Sequence, residues 1–121
     1  MAKTTPTEIH LHQKSRVMEI AFDDGERFNY TCEYLRVFSP SAEVQGHGPG
    51  QGVLQIGKED VAINDIEPIG HYAIKLVFDD NHDSGIYSWD YLYELGATYD
   101  DRWQFYLERL QEAGHARKSE T

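Results

Sequence analysis

The chain has 121 residues, enough for one globular core and too few for two ordinary domains. Hydrophobic residues make up 40% of it and charged residues 26%, which excludes the apolar-poor composition of a disordered chain. Eleven Lys and Arg stand against 21 Asp and Glu, a formal charge of -10 that argues against nucleic acids and anionic membrane surfaces as partners.

Glu8 to His12 alternates polar and apolar side chains, and Val17 to Phe22 follows after a short break, so two strands are predicted. Asp23-Asp24-Gly25-Glu26 suits a tight turn, with Arg27 to Tyr30 as the return strand. Thr31 is a good N-cap for a short helix that has Glu33 in its first turn and must stop near Ser39-Pro40. The segment Gly46-His47-Gly48-Pro49-Gly50-Gln51-Gly52 sustains neither helix nor central strand and is read as a surface loop. Val53 to Ile56 and Ile63 to Ile69 are predicted extended pieces, the second at an edge because of Pro68. Tyr72 to Phe78 is the clearest strand, with Ile74, Leu76 and Phe78 on the core face. Gly96 is expected to close a second short helix, and Thr98 or Asp100 to cap a longer one that ends at Gly114. Trp103, Tyr106, Leu107 and Leu110 share one face of that last helix, which must cover either its own domain or another protein. The tail after it is expected to fray.

A supersecondary unit occurs twice. Ile20-Ala21-Phe22-Asp23-Asp24, a Gly turn and Tyr30-Thr31-Cys32-Glu33-Tyr34-Leu35 return as Leu76-Val77-Phe78-Asp79-Asp80, a Gly-containing turn and Tyr87-Ser88-Trp89-Asp90-Tyr91-Leu92. Each copy reads strand, acidic turn, strand and hydroxyl-capped helix. The fold class that follows is a small α+β single domain with two β-hairpin-helix units, a Gly-rich loop and an amphipathic C-terminal helix.

Few residues suggest chemistry. Asp79-Asp80-Asn81-His82-Asp83 is rich in oxygen ligands but fits a calcium loop poorly, because Gly85 falls one place late and Asp90 replaces a long bidentate Glu; a solvated acidic turn is the simpler reading. His82 and His47 are candidate transition-metal ligands, weighed against exposed loop histidines, and His10 and His12 share one face of the first strand. The single cysteine, Cys32, excludes an internal disulfide and a Cys-rich metal site within one chain, and its place near a helix N-terminus is weighed against a small buried side chain. There is no Gly-x-Ser-x-Gly elbow and no phosphate-loop lysine. No apolar run approaches the roughly 20 residues that span a bilayer, and Met1 to Thr7 lacks a signal-peptide stretch, so the expectation is a soluble cytoplasmic protein.

Leu35 to Val44, with Phe38-Ser39-Pro40-Ser41 at its centre, and the stretch from Phe78-Asp79-Asp80-Asn81-His82 to Trp89-Asp90-Tyr91-Leu92 carry a resemblance to the gamma-butyrobetaine hydroxylase-like N-terminal domain family. The resemblance spans roughly residues 6–96 and leaves 97–121 as a C-terminal amphipathic helix and tail. It implies a domain that elsewhere precedes a catalytic iron and 2-oxoglutarate barrel, or is appended to scaffold ATPases of iron-sulfur assembly, and that holds zinc through three cysteines and a histidine. Those ligand places read Ser39, Ser41, Val44 and His82 here, so the zinc site is expected to be absent or weakened, and hydroxylase activity does not carry over.

The expectation is a non-catalytic accessory domain that binds a protein partner, in the setting of iron-sulfur or metal and cofactor metabolism. Its interaction surface is placed at Ser39, Ser41, His47, Trp89, Asp90, Trp103 and Tyr106. No cofactor is expected from the chain alone, and a homo-oligomer stays open. The alternative is iron or zinc held by His82, His47 and neighbouring ligands; an enzyme built on Cys32 or a His/Asp pair ranks third.

Overall fold

The structure, a computed structural model, describes residues 4–41, 44 and 54–115. The Gly-rich loop, His47 and the last residues of the tail lie outside them. Three strands, β1 (Pro6–His12), β2 (Val17–Phe22) and β3 (Arg27–Thr31), form one antiparallel sheet in that order and lead into α1 (Cys32–Val37). The second unit repeats this with β4 (Ile63–Ile69), β5 (Ala73–Phe78), β6 (Ile86–Ser88) and α2 (Trp89–Ala97). One more helix, α3 (Tyr99–Glu112), ends the description, and the α+β class holds.

The sequence repeat is a structural repeat down to single hydrogen bonds. Register slips between Pro6 and Glu8 in β1 and at the matching place between Ile63 and Asp65 in β4. Gly25 N donates to Phe22 O (3.1 Å) in the first acidic turn, and Asn81 N donates to Phe78 O (3.3 Å) in the second. Both turns need a left-handed residue, supplied by Gly25 at φ 92° and Asn81 at φ 72°. Thr31 Oγ1 accepts from Tyr34 N (3.0 Å) and Ser88 Oγ from Tyr91 N (3.1 Å), so both short helices carry the expected hydroxyl cap.

Four tyrosines lock the units together reciprocally. Tyr30 donates to Leu92 O (2.6 Å), and its counterpart Tyr87 donates to Leu35 O (2.5 Å). Tyr34 donates to Leu95 O (2.7 Å), and its counterpart Tyr91 donates to Phe38 O (2.6 Å). Each unit thus supplies hydrogen bonds to carbonyls in and just beyond the short helix of the other, where helix ends leave acceptors to be satisfied. Between the units lies one core that includes Met18, Ile20, Tyr30, Leu35, Ile74, Leu76, Phe78, Tyr87, Leu92 and Leu95. The predicted core face of β5 is therefore correct, and β4 with its Pro68 is an edge strand.

Some expectations need correction. Residues 54–56 form no strand: Leu54 packs against α3, and Gln55 O accepts from Tyr106 (2.7 Å). Gly96 does not close α2, which continues to Ala97; a Cβ there would overlap the Phe28 ring, so glycine serves close packing. Thr98 makes no side-chain cap to α3, because its hydroxyl donates back to Glu94 O (2.6 Å). The last helix packs on its own domain, with Tyr106 and Leu110 buried against Val37, and Gly114 follows it at φ 80°.

Burial pushes the hydroxyls of Tyr30, Tyr34 and Tyr87 well above their ordinary 10.0. The unfolded chain then gives up these protons first as pH rises. Stability is expected to be intact below about pH 10 and to fall above it by about 1.4 kcal/mol per pH unit for each buried tyrosine, measurable by urea unfolding across that range. Tyr30→Phe and Tyr87→Phe should each lower unfolding free energy by about 1–2 kcal/mol at neutral pH, since each removes a buried hydrogen bond between the units; losses near zero for both would refute the interlock.

Candidate functional site: a polar half-core and an aromatic cleft

Because the halves match so closely, the places where they differ single out residues that packing alone does not require. In the first half, Phe28 fills the space over Gly96, and Phe22, Phe28 and Tyr93 meet edge to face with centroids 5.1 to 5.9 Å apart. Tyr93 also donates to Asp24 Oδ2 (2.7 Å), which raises its hydroxyl pKa to about 12.

In the second half the matching places are polar. Gly85 stands where Phe28 does and Ser39 where Gly96 does, and a Cβ on Gly85 would overlap Ser39 Oγ. Ser39 Oγ lies 2.9 Å from His82 Nε2 and accepts from Ser41 N (3.2 Å), while Ser41 Oγ and Ser84 Oγ are 2.7 Å apart. Arg36 replaces Tyr93: its Nε donates to Asp80 Oδ2 (2.9 Å), and Lys58 Nζ reaches the same oxygen (2.7 Å). Burial pushes the Asp80 carboxyl up, but Lys58 and Arg36 outweigh it and hold the group below its ordinary value. Arg36 Nη1 is buried without a hydrogen-bond partner among the described residues.

These contacts revise several sequence expectations. His82 is not an exposed turn histidine but is 4% exposed, and Ser39, Ser41 and Tyr106 are also buried, leaving Trp89, Asp90 and Trp103 as the described members of the expected surface that keep solvent contact. Cys32 opens α1, yet burial pushes its thiol up, so the helix N-terminus does not make it a thiolate. His10 and His12 are exposed and hydrogen-bonded to Glu8 (3.0 Å) and Glu19 (3.3 Å). Ser39, Ser41 and His82 do come together, as the resemblance implies for the zinc ligands, and Val44 N bonds to Ser41 O (2.9 Å). The donor set does not fit zinc: two hydroxyls and a valine stand for three thiolates, and Ser39 already engages His82 Nε2. Among the described residues no group of three or more His, Cys, Asp and Glu side chains could hold a metal ion.

The second departure from symmetry lies at the start of α2. Cys32 and Trp89 hold matching places, and each main-chain N–H bonds to the preceding hairpin loop, Cys32 N to Arg16 O and Trp89 N to Tyr72 O, both at 2.9 Å. Cys32 is buried, whereas Trp89 lies at the surface beside Tyr72, which is 61% exposed. The Trp89 ring is held in place, since its Nε1 donates to His71 O (2.8 Å), while the Tyr72 ring lies over Gly70, at φ 54°, where a Cβ would come 2.9 Å from Cε1. With Thr4, Thr5, Ser88 and Asp90 these residues line a cleft of about 380 Å³. The alternation of the sequence places Tyr72 at the head of the following strand, whereas it lies in the turn before β5; the Cys32/Trp89 mismatch between the repeats was the available clue to this face.

Gly85→Ala is expected to destabilise the domain by about 1–3 kcal/mol through overlap with Ser39, and Ser39→Ala by about 1–3 kcal/mol through an imidazole left short of a partner. Thermal or urea unfolding checks both, and a neutral Ser39→Ala would sink the structural role given to this cluster.

Comparison with known proteins supplies relatives of the same fold. The family model described as gamma-butyrobetaine hydroxylase-like, N-terminal, matches residues 9–93. A protein solved by NMR in solution is 51% identical, with 95% of this chain and 86% of that chain covered at a TM-score of 0.81. A second NMR structure is 45% identical over 99% of this chain and 94% of its own, at 0.84. A crystal structure of a protein of unknown function from Acidithiobacillus ferrooxidans, assigned to the DUF971 family, is 40% identical over 77% of this chain and 93% of its own, at 0.65. No curated protein matches. With the motif stretches, the paired units and the family match in agreement, the chain belongs to the gamma-butyrobetaine hydroxylase-like N-terminal domain family.

Proposed function

We propose that this protein is a non-catalytic accessory domain that docks a protein partner at the Tyr72–Trp89 cleft. The observation that carries the reading is a hydrogen-bonded, partly buried Trp89 beside the exposed Tyr72, where the twin position of the repeat has a small buried side chain. An aromatic ring fixed before binding, as Trp89 is, loses little freedom on contact, which suits recognition. Against catalysis stands the burial of the groups that resemble a nucleophile and base: Ser39 is 0% and His82 4% exposed, so a substrate has no route to them. Cys32 is equally enclosed. The setting we assign, following the family resemblance, is cytoplasmic iron-sulfur or other metal and cofactor metabolism, with the domain recruiting a partner and holding no metal itself. No helix among the described residues is long and apolar enough to cross a membrane.

Two measurements test this. Immobilised wild-type protein should retain a defined partner from its native extract that Tyr72→Ala fails to retain, with unfolding free energies within about 0.5 kcal/mol of each other because Tyr72 is exposed. Equal retention by both proteins would remove the cleft from the interface. Elemental analysis of untagged, anaerobically purified protein is expected to give zinc and iron far below one per chain; a stoichiometric metal lost in His82→Ala would return the metal-binding alternative to first place.

A further inference from the structure

Resting on the docking reading above, the geometry points to a specific chemistry for the cleft: we infer that it takes a lysine or arginine side chain from a basic segment of the partner polypeptide. The walls supply what such a side chain needs. Tyr72 and Trp89 offer aromatic surface whose electron-rich faces attract a cation, and the same surface covers the aliphatic stem. Asp90 adds a carboxylate at the exposed rim, and no described lysine or arginine pairs with it. Among the described residues the lining contains no lysine or arginine. The chain as a whole carries a formal charge of -10, so the long-range field draws a basic segment toward the protein and disfavours an acidic one.

Anchoring of Trp89 makes the site specific for shape as well as charge. Its bond to His71 O holds one aromatic wall in position before a guanidinium or ammonium arrives, and Tyr72, seated over Gly70, forms the more exposed wall. The polar half-core offers no comparable place, because His82, Ser39 and Ser41 are enclosed and its two cations already share Asp80.

The test uses three capped pentapeptides, Ala-Ala-X-Ala-Ala with X as arginine, norleucine or glutamate, titrated into isotopically labelled full-length protein and followed by NMR. The arginine peptide is expected to shift the Trp89 indole N–H and the Tyr72 ring signals saturably, the glutamate peptide to leave them unmoved, and Asp90→Asn to weaken the arginine peptide by about three- to tenfold. Norleucine binding as well as arginine would overturn the cationic assignment while leaving the cleft as a docking surface for apolar side chains. Shifts from none of the three would overturn both the assignment and the cleft as the docking surface. Tyr72→Ala, exposed and remote from the core, serves as the second variant and should abolish the arginine-dependent shifts without altering the rest of the spectrum.

Discussion

The reciprocal tyrosine bonds are the constraint on which this domain depends. Two three-stranded sheets, each with a helix of six to nine residues, are individually too small to bury a core, and short helices leave carbonyls exposed at their ends. Tyr30, Tyr34, Tyr87 and Tyr91 solve both difficulties together. Their rings contribute apolar area between the units, and their hydroxyls reach carbonyls in or beside the opposite helix. Burying a hydroxyl without a partner would cost more than the ring contributes, so the tyrosines tie each unit to the register of the other.

Against this near-identity, the unlike places gain meaning. The Phe22–Phe28–Tyr93 cluster proves that the space beside the acidic turn can be filled by apolar packing. The other half uses Ser39, Ser41, His82, Ser84, Arg36 and Asp80 in the corresponding region. A buried polar network of this sort specifies one arrangement of loops more sharply than aliphatic contacts do, at some cost in stability. It retains the meeting point of the segments that the family resemblance associates with zinc, with hydrogen bonds in the role of the metal. The aromatic cleft is the outward departure, where bulk appears that the twin position omits.

Much of the fold was legible because it rests on local signals: alternation in the strands, Asp-Gly at the first turn, and Thr31 and Ser88 before the helices. The repeat was visible in the paired Phe-Asp-Asp and Tyr-Thr/Ser runs. What escaped was whatever depends on proximity between distant segments. His82 looked exposed since its neighbours in sequence are Asn81 and Asp83, yet it is enclosed by Ser39 from the first unit. Gly96 looked like a helix stop because nothing nearby in sequence announces the Phe28 ring above it. The Arg36–Asp80–Lys58 cluster joins three separate segments, and Cys32 gives no local sign that burial overrides the helix terminus. His47 stands in a segment outside the described residues.

The interlock also bears on how the chain reaches this state. Strand pairing within each unit needs only short loops to close, whereas Tyr30 and Leu92 are 62 residues apart and Tyr87 and Leu35 are 52 apart. Hairpins can form early and independently, but the capping bonds exist only after the two units have met in one orientation. Docking is then the late event in folding. A chain with one unit complete and the other still open would expose both a sheet face and a row of uncapped helix carbonyls, making that half-built form the one most exposed to proteases and to self-association.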